Sequence, residues 1–369
     1  MRQYLGWESL EKILQAWDIE FFNLEQITQF FLNDREMGEY IPDGNYQIDP
    51  RNEDRIIYNT ARARRPHDNI PSDNSIENKE KEKDCLICQG KTTQIVDVAE
   101  LSEGFTFINK NLFPIYYPVS STVKLRADNR VSENNMSTQK VDGYHFLQWT
   151  SSYHDKDWHN MPLADLVIVL QRLAALEHKM IEEGYQSVSI IKNYGHLVGG
   201  SLSHGHQQIA VSNLIPNRIR QDKKFKEIHG ESFTAYLSQA TPQELVIKDY
   251  GSAILLTPNF MRRPYDLILA LKDSEKSTLF ELNEDEVSAI AEGWKDAIRI
   301  IRRVMPLIGR EIAYNVVTHN DPSGGLYFEF LPYTQEMGGF EHLGLFLCQG
   351  NPFDSAEQTR QILFKLDRV

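Results

Sequence analysis

Residues 199–211 read GGSLSHGHQQIAV, a run in which paired glycines precede two histidines and a glutamine. His204 and His206 are one residue apart, and Gln208 follows at the same spacing. Side chains alternate between the two faces of a strand, so these three project from one face at intervals of about 6.6–7 Å. The pattern predicts a strand that carries a polar surface, a metal site, or a nucleophile with its orienting partner.

The glycine loop ahead of this strand favours phosphate chemistry. Gly199, Gly200 and Ser201 can bring backbone N–H groups close to a phosphate, because glycine has no Cβ. A neutral imidazole beside such a cradle can attack phosphorus, provided that its other ring nitrogen donates to a fixed acceptor. Gln208 can then hydrogen-bond the phosphoryl oxygens as charge develops in the transition state.

Composition indicates a globular protein of one large domain or two ordinary ones. The chain has 369 residues, of which 41% are hydrophobic and 25% charged. Its net charge of −13 argues against a nucleic-acid partner, although a local basic pocket for phosphates is compatible with it. No apolar run reaches the roughly 18 residues of a membrane span, and the N-terminus does not resemble a signal peptide. We therefore expect a cytoplasmic protein without a membrane partner.

The three cysteines cannot form a disulfide framework. Cys85 and Cys88 make a Cys-x-x-Cys pair, which in such a chain indicates metal or redox chemistry. Cys348 stands apart and is expected to be a buried apolar residue.

One arrangement of elements occurs twice along the chain. A strand leads to a helix at 163–184, then to two strands joined by the glycine loop. The same order follows with a helix at 284–305, which begins behind a capping-box pattern at Asn283 and Glu286. We predict an α+β fold with antiparallel strands covered by helices. The expected divisions are a helical extension at 1–45, a first half at 46–212 and a second half at 213–369.

The order of these motifs resembles the galactose-1-phosphate uridylyltransferase family, the duplicated branch of the histidine-triad superfamily. The shared features are Cys-x-x-Cys, Gly-x-His, a further histidine nine residues on, then Asn, Gly-Gly-Ser and His-x-His-x-Gln. They extend over about residues 46–352. The resemblance implies two histidine-triad-like half-units, of which the second is degenerate.

The resemblance also implies roles for individual residues. The family nucleophile is the second histidine of its His-Pro-His-Gly-Gln motif, and it corresponds here to His206, with Gln208 binding phosphate. The implied substrate-binding residues are Arg62, Arg65, Asn111, Asn193, Gly199, Gly200, Ser201, His319, Glu329 and Glu341.

A structural zinc site is implied in the same way. The family's two cysteines and two histidines correspond to Cys85, Cys88, His154 and His204. Two thiolates and two imidazoles make a closed tetrahedral site. In this assignment His204 binds the metal, while His206 is left for phosphorus.

Several positions depart from the family pattern. Gly205 replaces a proline and Gln207 a glycine within the histidine motif. Gln207 is expected to point away from His206, although its bulk can reshape the pocket. Leu112 follows Asn111 in place of an acidic residue, and Tyr327 stands where a histidine is usual, which argues against a second metal site.

The implied function is nucleotidyl transfer through a covalent nucleotidyl-histidine. The donor is a nucleotide sugar or related nucleotide, and the acceptor is a sugar phosphate or another phosphate. An adenylyltransferase acting on ADP-glucose or diadenosine polyphosphates fits the same motif. A zinc-containing nucleotide-binding module without turnover, and a metal oxygenase site using His204 and His206 together, are alternatives from other classes. Family members are commonly dimers, so the resemblance also implies a homodimer.

Overall fold

The computed structural model describes residues 18–32, 41, 45–48, 55–58, 85–118 and 139–368. Arg62, Arg65 and the first predicted N-terminal helix lie outside these residues. The strands are β1 (Asn45–Ile48), β2 (Arg55–Tyr58), β3 (Ile95–Leu101), β4 (Gly104–Lys110), β5 (Gln139–Lys140), β6 (Gly143–Trp149), β7 (Ser187–Tyr194), β8 (His206–Ser212), β9 (Val246–Asp249), β10 (Ala253–Leu256), β11 (Leu267–Leu271), β12 (Tyr314–Asp321) and β13 (Gly325–Pro332). The helices are α1 (Leu24–Leu32), α2 (Leu163–Glu182), α3 (Asn217–His229), α4 (Phe233–Ala240), α5 (Glu284–Leu307), α6 (Gly339–His342) and α7 (Pro352–Leu366).

In the described part of the chain, ten strands form one antiparallel sheet in the order β3–β4–β6–β8–β7–β12–β13–β11–β10–β9. The strands β1, β2 and β5 form a smaller sheet of their own. The predicted α+β class with helix-covered antiparallel strands is confirmed. The two expected half-sheets are joined edge to edge through β7 and β12, where Asn193 lies opposite Asn315.

The order of strands supports the proposed duplication. From the β7–β12 junction outward, the first half runs β7–β8–β6 and the second β12–β13–β11. Each third strand precedes its helix in sequence, α2 in the first half and α5 in the second. Joining the halves by strand pairing satisfies the backbone groups of two edges that would otherwise stay unpaired.

The two long helices cover one face of the sheet. Helix α5 begins with the predicted capping box, in which Asn283 and Glu286 accept each other's backbone N–H groups. Helix α2 ends before Gly184, whose positive φ of 90° favours glycine. The core between helices and sheet includes the Trp158–Trp294 pair, with ring centroids 4.4 Å apart. Among the described residues, every helix is too short or too polar to cross a membrane.

Side chains along β8 alternate between the two faces of the large sheet. Ile209 and Val211 belong to the core beneath the helices. His206, Gln208 and Ala210 therefore project from the opposite face, where Ala210 belongs to a small separate cluster. The histidine chemistry is thus on the face of the sheet away from α2 and α5.

Candidate active site and metal centre

His206 is the first residue of β8 and lies opposite Trp149 of β6. Its side chain is buried, and its ring packs against the indole at a centroid distance of 5.0 Å. The ring nitrogen Nδ1 is 2.8 Å from the carbonyl oxygen of His204. A carbonyl only accepts, so Nδ1 carries the proton and the lone pair of the neutral ring is on Nε2. This is the fixed acceptor that a nucleophilic imidazole requires.

Burial lowers the pKa of His206 to about 4, which keeps the ring neutral at pH 7. The main chain around it is equally constrained, because Thr150 N–H donates to the Gly205 carbonyl at 3.0 Å. The Asp157 carboxyl occupies the space beside Gly205, where a Cβ would lie 2.6 Å from Cγ of Asp157. This contact explains why glycine stands at 205 in place of the family's proline.

The glycine loop lies between β7 and β8 and is closed by its own backbone hydrogen bonds, so Gly199 N–H, expected to face a phosphate, donates instead to the His196 carbonyl at 3.2 Å. Gly199 has a positive φ of 82°, and Gly200 N–H donates to the Gly195 carbonyl at 3.0 Å. A Cβ at Gly200 would lie 2.7 Å from that same oxygen, so only glycine fits. Ser201 follows in a buried position.

Asn315 of β12 anchors this loop from the second half of the chain. Its Nδ2 donates to Asn193 Oδ1 at 2.7 Å and to the Val198 carbonyl at 3.1 Å. The sequence analysis did not identify Asn315. The signal was weak, because a single asparagine in a predicted strand acquires this role only through the β7–β12 pairing.

Gln208 lies on the His206 face, and Gln207 points the other way, as expected from strand alternation. The side-chain amide of Gln207 is hydrogen-bonded to the Thr150 hydroxyl at 2.9 Å and to the side-chain amide of Gln148 at 3.2 Å. Its side chain therefore occupies the interior on the helix side of the sheet, and its bulk does not enter the His206 face.

Cys85, Cys88, His154 and His204 form a cluster whose ligand atoms all lie within 4.8 Å of one another. Cys88 Sγ is 3.4 Å from His154 Nδ1 and 3.6 Å from His204 Nδ1. Cys85 Sγ is 3.7 Å from His204 Nδ1. A tetrahedral ion with metal–sulfur and metal–nitrogen distances of about 2.3 and 2.0–2.1 Å separates sulfur from nitrogen by about 3.6 Å. The spacing therefore fits a tetrahedral metal ion.

The chemistry of the donors agrees with this spacing. His204 Nε2 donates to the Ser151 carbonyl at 2.8 Å, so Nδ1 presents its lone pair to the cluster. The hydrogen bond from Cys88, followed by those of His154 and His204, lowers the pKa of Cys85 although burial opposes the shift. In the described chain this is the group with metal-ligand spacing, and His206 is not part of it. The arrangement disfavours a metal site shared by His204 and His206.

Comparison with known proteins identifies the family. Residues 36–216 match the family model described as galactose-1-phosphate uridyl transferase, N-terminal domain. Residues 36–216 of the chain therefore belong to the galactose-1-phosphate uridylyltransferase-like family. The curated ADP-glucose phosphorylase of Arabidopsis thaliana is 21% identical to it over 338 residues, covering 85% of this chain and 92% of the relative.

Solved structures share the fold of this chain. A uridylyltransferase structure has a TM-score of 0.67 at 20% identity, covering 87% of this chain and 99% of its own. The ADP-glucose phosphorylase of Arabidopsis thaliana with bound ADP-glucose has a TM-score of 0.60 at 18% identity, covering 85% and 97%.

The side chains of Asn111 and His145 are hydrogen-bonded to each other on the face of the sheet that carries His206. Asn111 Nδ2 is 3.3 Å from His145 Nδ1, which also accepts the backbone N–H of Ile115 at 3.0 Å. Asn111 Oδ1 accepts the backbone N–H of Phe113 at 2.8 Å. These bonds shape the segment after β4, and they give His145 a structural role.

The second half of the chain carries a different polar cluster, which is centred on His319. His319 of β12 is buried, with Nδ1 3.3 Å from Asp222 Oδ2 and Nε2 2.9 Å from Glu329 Oε2. Burial alone would lower the pKa of His319, but hydrogen bonds to Asp222 and Glu329 raise it above its usual value. Tyr327 stacks on the ring at 4.1 Å and donates to Asp222. The imidazole bridges the two carboxylates.

Glu329 is on the same sheet face as Gln208, but three strands away. The register runs from Gln208 through Ile191 and Val317 to Glu329. With about 4.7–4.9 Å between strands, the two backbones are about 14 Å apart. Glu341 instead accepts the backbone N–H groups of Gly338 at 2.8 Å and Leu347 at 3.2 Å, and so shapes its own surface loop.

Proposed function

We propose that this chain is a nucleotidyltransferase that moves a nucleoside monophosphate from a nucleotide sugar to a phosphate acceptor through a covalent bond to His206. One observation carries the proposal: the buried His206 ring donates from Nδ1 to the His204 carbonyl, at the start of the strand that follows the glycine loop. A neutral imidazole fixed in this tautomer presents a lone pair for attack on phosphorus.

The proposed reaction has two steps with one geometry. In the first, His206 Nε2 bonds to the α-phosphorus, the bond to the sugar phosphate breaks, and that phosphate leaves with the electron pair. In the second, an oxygen of the acceptor phosphate bonds to the same phosphorus, and the electron pair of the phosphorus–nitrogen bond returns to His206. The ring is positively charged in between, and the His204 carbonyl stabilises this charge through Nδ1–H.

The surrounding groups are proposed to bind the transferring phosphate. Gln208 and Ser201 supply neutral donors, while Arg62 and Arg65 supply positive charge; the N–H groups of Gly199 and Gly200 are used within the loop. Phosphoryl transfer depends mainly on such positioning and electrostatic stabilisation. The leaving group is a phosphate that ionises near neutral pH, so no strong general acid is required.

We propose zinc as the ion of the Cys85, Cys88, His154 and His204 cluster, since the donor set and spacing suit it. Bound zinc would link the turn that carries Cys85 and Cys88 to the loop after β6, which carries His154, and to His204 just before β8. Binding of His204 to the ion would fix the backbone at this residue, whose carbonyl accepts the hydrogen bond from His206 Nδ1–H. The role is therefore structural and acts through the position of the nucleophile.

ADP-glucose with inorganic phosphate is the first substrate pair to test. The curated relative that spans most of the chain is an ADP-glucose phosphorylase, and a structural neighbour of that name holds ADP-glucose. Uridylyl transfer from UDP-glucose is the second candidate, favoured by the family model and by the uridylyltransferase structure. A homodimer stays a prediction, which light scattering of the purified protein tests.

The experiment is covalent trapping. The protein is incubated with ADP-glucose or UDP-glucose labelled in the α-phosphate, without acceptor, and then examined for an acid-labile, base-stable adduct. We expect label from at least one donor, its loss in His206→Ala, and its retention in His178→Ala, whose side chain is 45% exposed on α2. Label that survives His206→Ala contradicts the mechanism. Binding of nucleotide without any label favours a binding module.

A further inference from the structure

A buried ion pair lies directly beneath the proposed nucleophile, on the helix side of the sheet. Lys192 of β7 is 1% exposed, and its Nζ is 3.0 Å from Asp157 Oδ1 and 2.9 Å from Oδ2. Burial opposes ionisation of Asp157, but the neighbouring Lys192 ammonium lowers the pKa of Asp157 below its ordinary value. The same ammonium donates to the carbonyl oxygen of His206 at 3.2 Å.

This bond completes a set that fixes consecutive backbone carbonyls. The His204 carbonyl accepts from the His206 ring, the Gly205 carbonyl from Thr150 N–H, and the His206 carbonyl from Lys192. Asp157 connects two of the donors, because its Oδ1 accepts from the Thr150 hydroxyl at 3.1 Å and from Lys192. Each peptide beside the nucleophile is thereby tied to the fold.

The strand ladder does not supply the last of these bonds. The pairing of β7 with β8 ends with Ile191 opposite Gln208, because the chains then separate into the glycine loop. His206 is therefore beyond the ladder on the β7 side, and the side chain of Lys192 provides a donor there. A buried ion pair adds little net stability, since desolvation offsets the attraction of the charges, so the feature specific to this pair is the Lys192 bond to the His206 carbonyl.

We propose that Lys192 and Asp157 are positioning residues, which hold the His206 backbone so that its ring stays in line with the phosphorus. The inference rests on the proposed function of His206. The pair acts through the carbonyl and the strand, and it makes no contact with substrate. Its effect should therefore appear in the covalent step rather than in nucleotide binding.

The test removes both charges together, because a single substitution leaves an uncompensated charge in the interior. Lys192→Met/Asp157→Asn keeps the volumes and an oxygen acceptor at 157. We expect the rate of nucleotidyl-adduct formation to fall 10- to 100-fold, because misplacement of a reacting group by about 1 Å costs up to about that much. The dissociation constant for the nucleotide sugar should change less than threefold, and the metal content should stay the same.

A second ion pair of the chain gives the matched control. Lys248 Nζ and Asp296 Oδ2 are 2.8 Å apart in the other half, with Asp296 buried. Lys248→Met/Asp296→Asn should form the adduct at the wild-type rate. A general loss of stability lowers both variants alike, whereas positioning affects only the first.

The outcomes separate the inference from the function on which it depends. Wild-type protein that forms no adduct contradicts the proposed function, whatever the variants do. A wild-type adduct rate in Lys192→Met/Asp157→Asn, or an equal loss in the control pair, overturns the positioning role. If the first variant does not melt cooperatively, Lys192→Arg replaces it, since arginine keeps the charge but changes the reach to the carbonyl. Slower adduct formation with unchanged binding supports the proposal, and wild-type rates overturn it.

Discussion

Gly205→Ala is the smallest change that tests the packing beneath the nucleophile. The new Cβ would lie 2.6 Å from Asp157 Cγ and 2.8 Å from its Oδ1. Ordinary carbon contacts are about 3.5–4.0 Å, so carboxyl and backbone must separate by about 1 Å. Asp157 cannot withdraw freely, because it is bonded to Lys192 and Thr150.

The expected effect is large on activity and moderate on stability. Overpacking of this kind costs about 1–3 kcal/mol, and a shift of about 1 Å at a reacting group costs up to about 100-fold in rate. Urea unfolding monitored by fluorescence gives the first quantity, and single-turnover adduct formation gives the second. We expect the nucleotide-sugar dissociation constant to stay within threefold of wild type.

Gly293→Ala is the control for this prediction. Its Cβ would lie 2.5 Å from Leu269 Cδ1, in the core of the second half. It should lower stability, less than Gly205→Ala because a leucine end can move, and leave adduct formation unchanged. Wild-type stability and rate in Gly205→Ala would refute the reasoning, since they require that Asp157 is not packed against the nucleophile strand.

Three further predictions concern other parts of the molecule. Cys88→Ser should lose the bound metal and melt at a lower temperature, as measured by elemental analysis and calorimetry. Cys348→Ser should keep the metal content and the melting temperature of the wild type, and retention of metal by Cys88→Ser contradicts the ligand assignment. The raised pKa of His319 adds stability that is fully present below the unfolded pKa of about 6.5 and is lost as pH rises through the folded pKa. His319→Gln should therefore flatten the dependence of the free energy of urea unfolding on pH in this range, and an unchanged slope would exclude the effect. Asn315→Ala leaves the Asn193 side chain of β7 and the Val198 carbonyl of the glycine loop without their donor, so stability should fall by about 1–3 kcal/mol and nucleotide-sugar binding should weaken. Equal binding by calorimetry would show that the loop does not depend on this anchor.

Local patterns predicted the elements that local interactions stabilise. The helix at 284–305 was expected from apolar spacing and its capping box, and α5 extends from Glu284 to Leu307. The strand after the glycine loop was expected to carry His204, His206 and Gln208, but β8 begins only at His206, so His204 precedes the strand. Helix α3 was not predicted, because its sequence is mostly polar and has little apolar periodicity.

Some residues of the candidate site were likewise predicted from local patterns, and others were not. The sequence motifs located the donors of the metal cluster and the histidine of the glycine loop, because motif spacing and residue chemistry identify them. Lys192, Asp157 and Asn315 carried no such signal. Each looks ordinary in its own segment, and its role depends on a partner supplied by a distant part of the chain or across the sheet.

The sequence by itself determined which chemistry is available: thiolates and imidazoles for a metal, a second imidazole for phosphorus, and glycines where no Cβ fits. Only the tertiary structure decided how these groups are held. The pairing of β7 with β12 brings Asn315 to the glycine loop, and burial places a lysine ammonium under the His206 carbonyl. The physical reason is that residue type sets what a side chain can bond, whereas strand register and burial set which partner it meets and whether water competes.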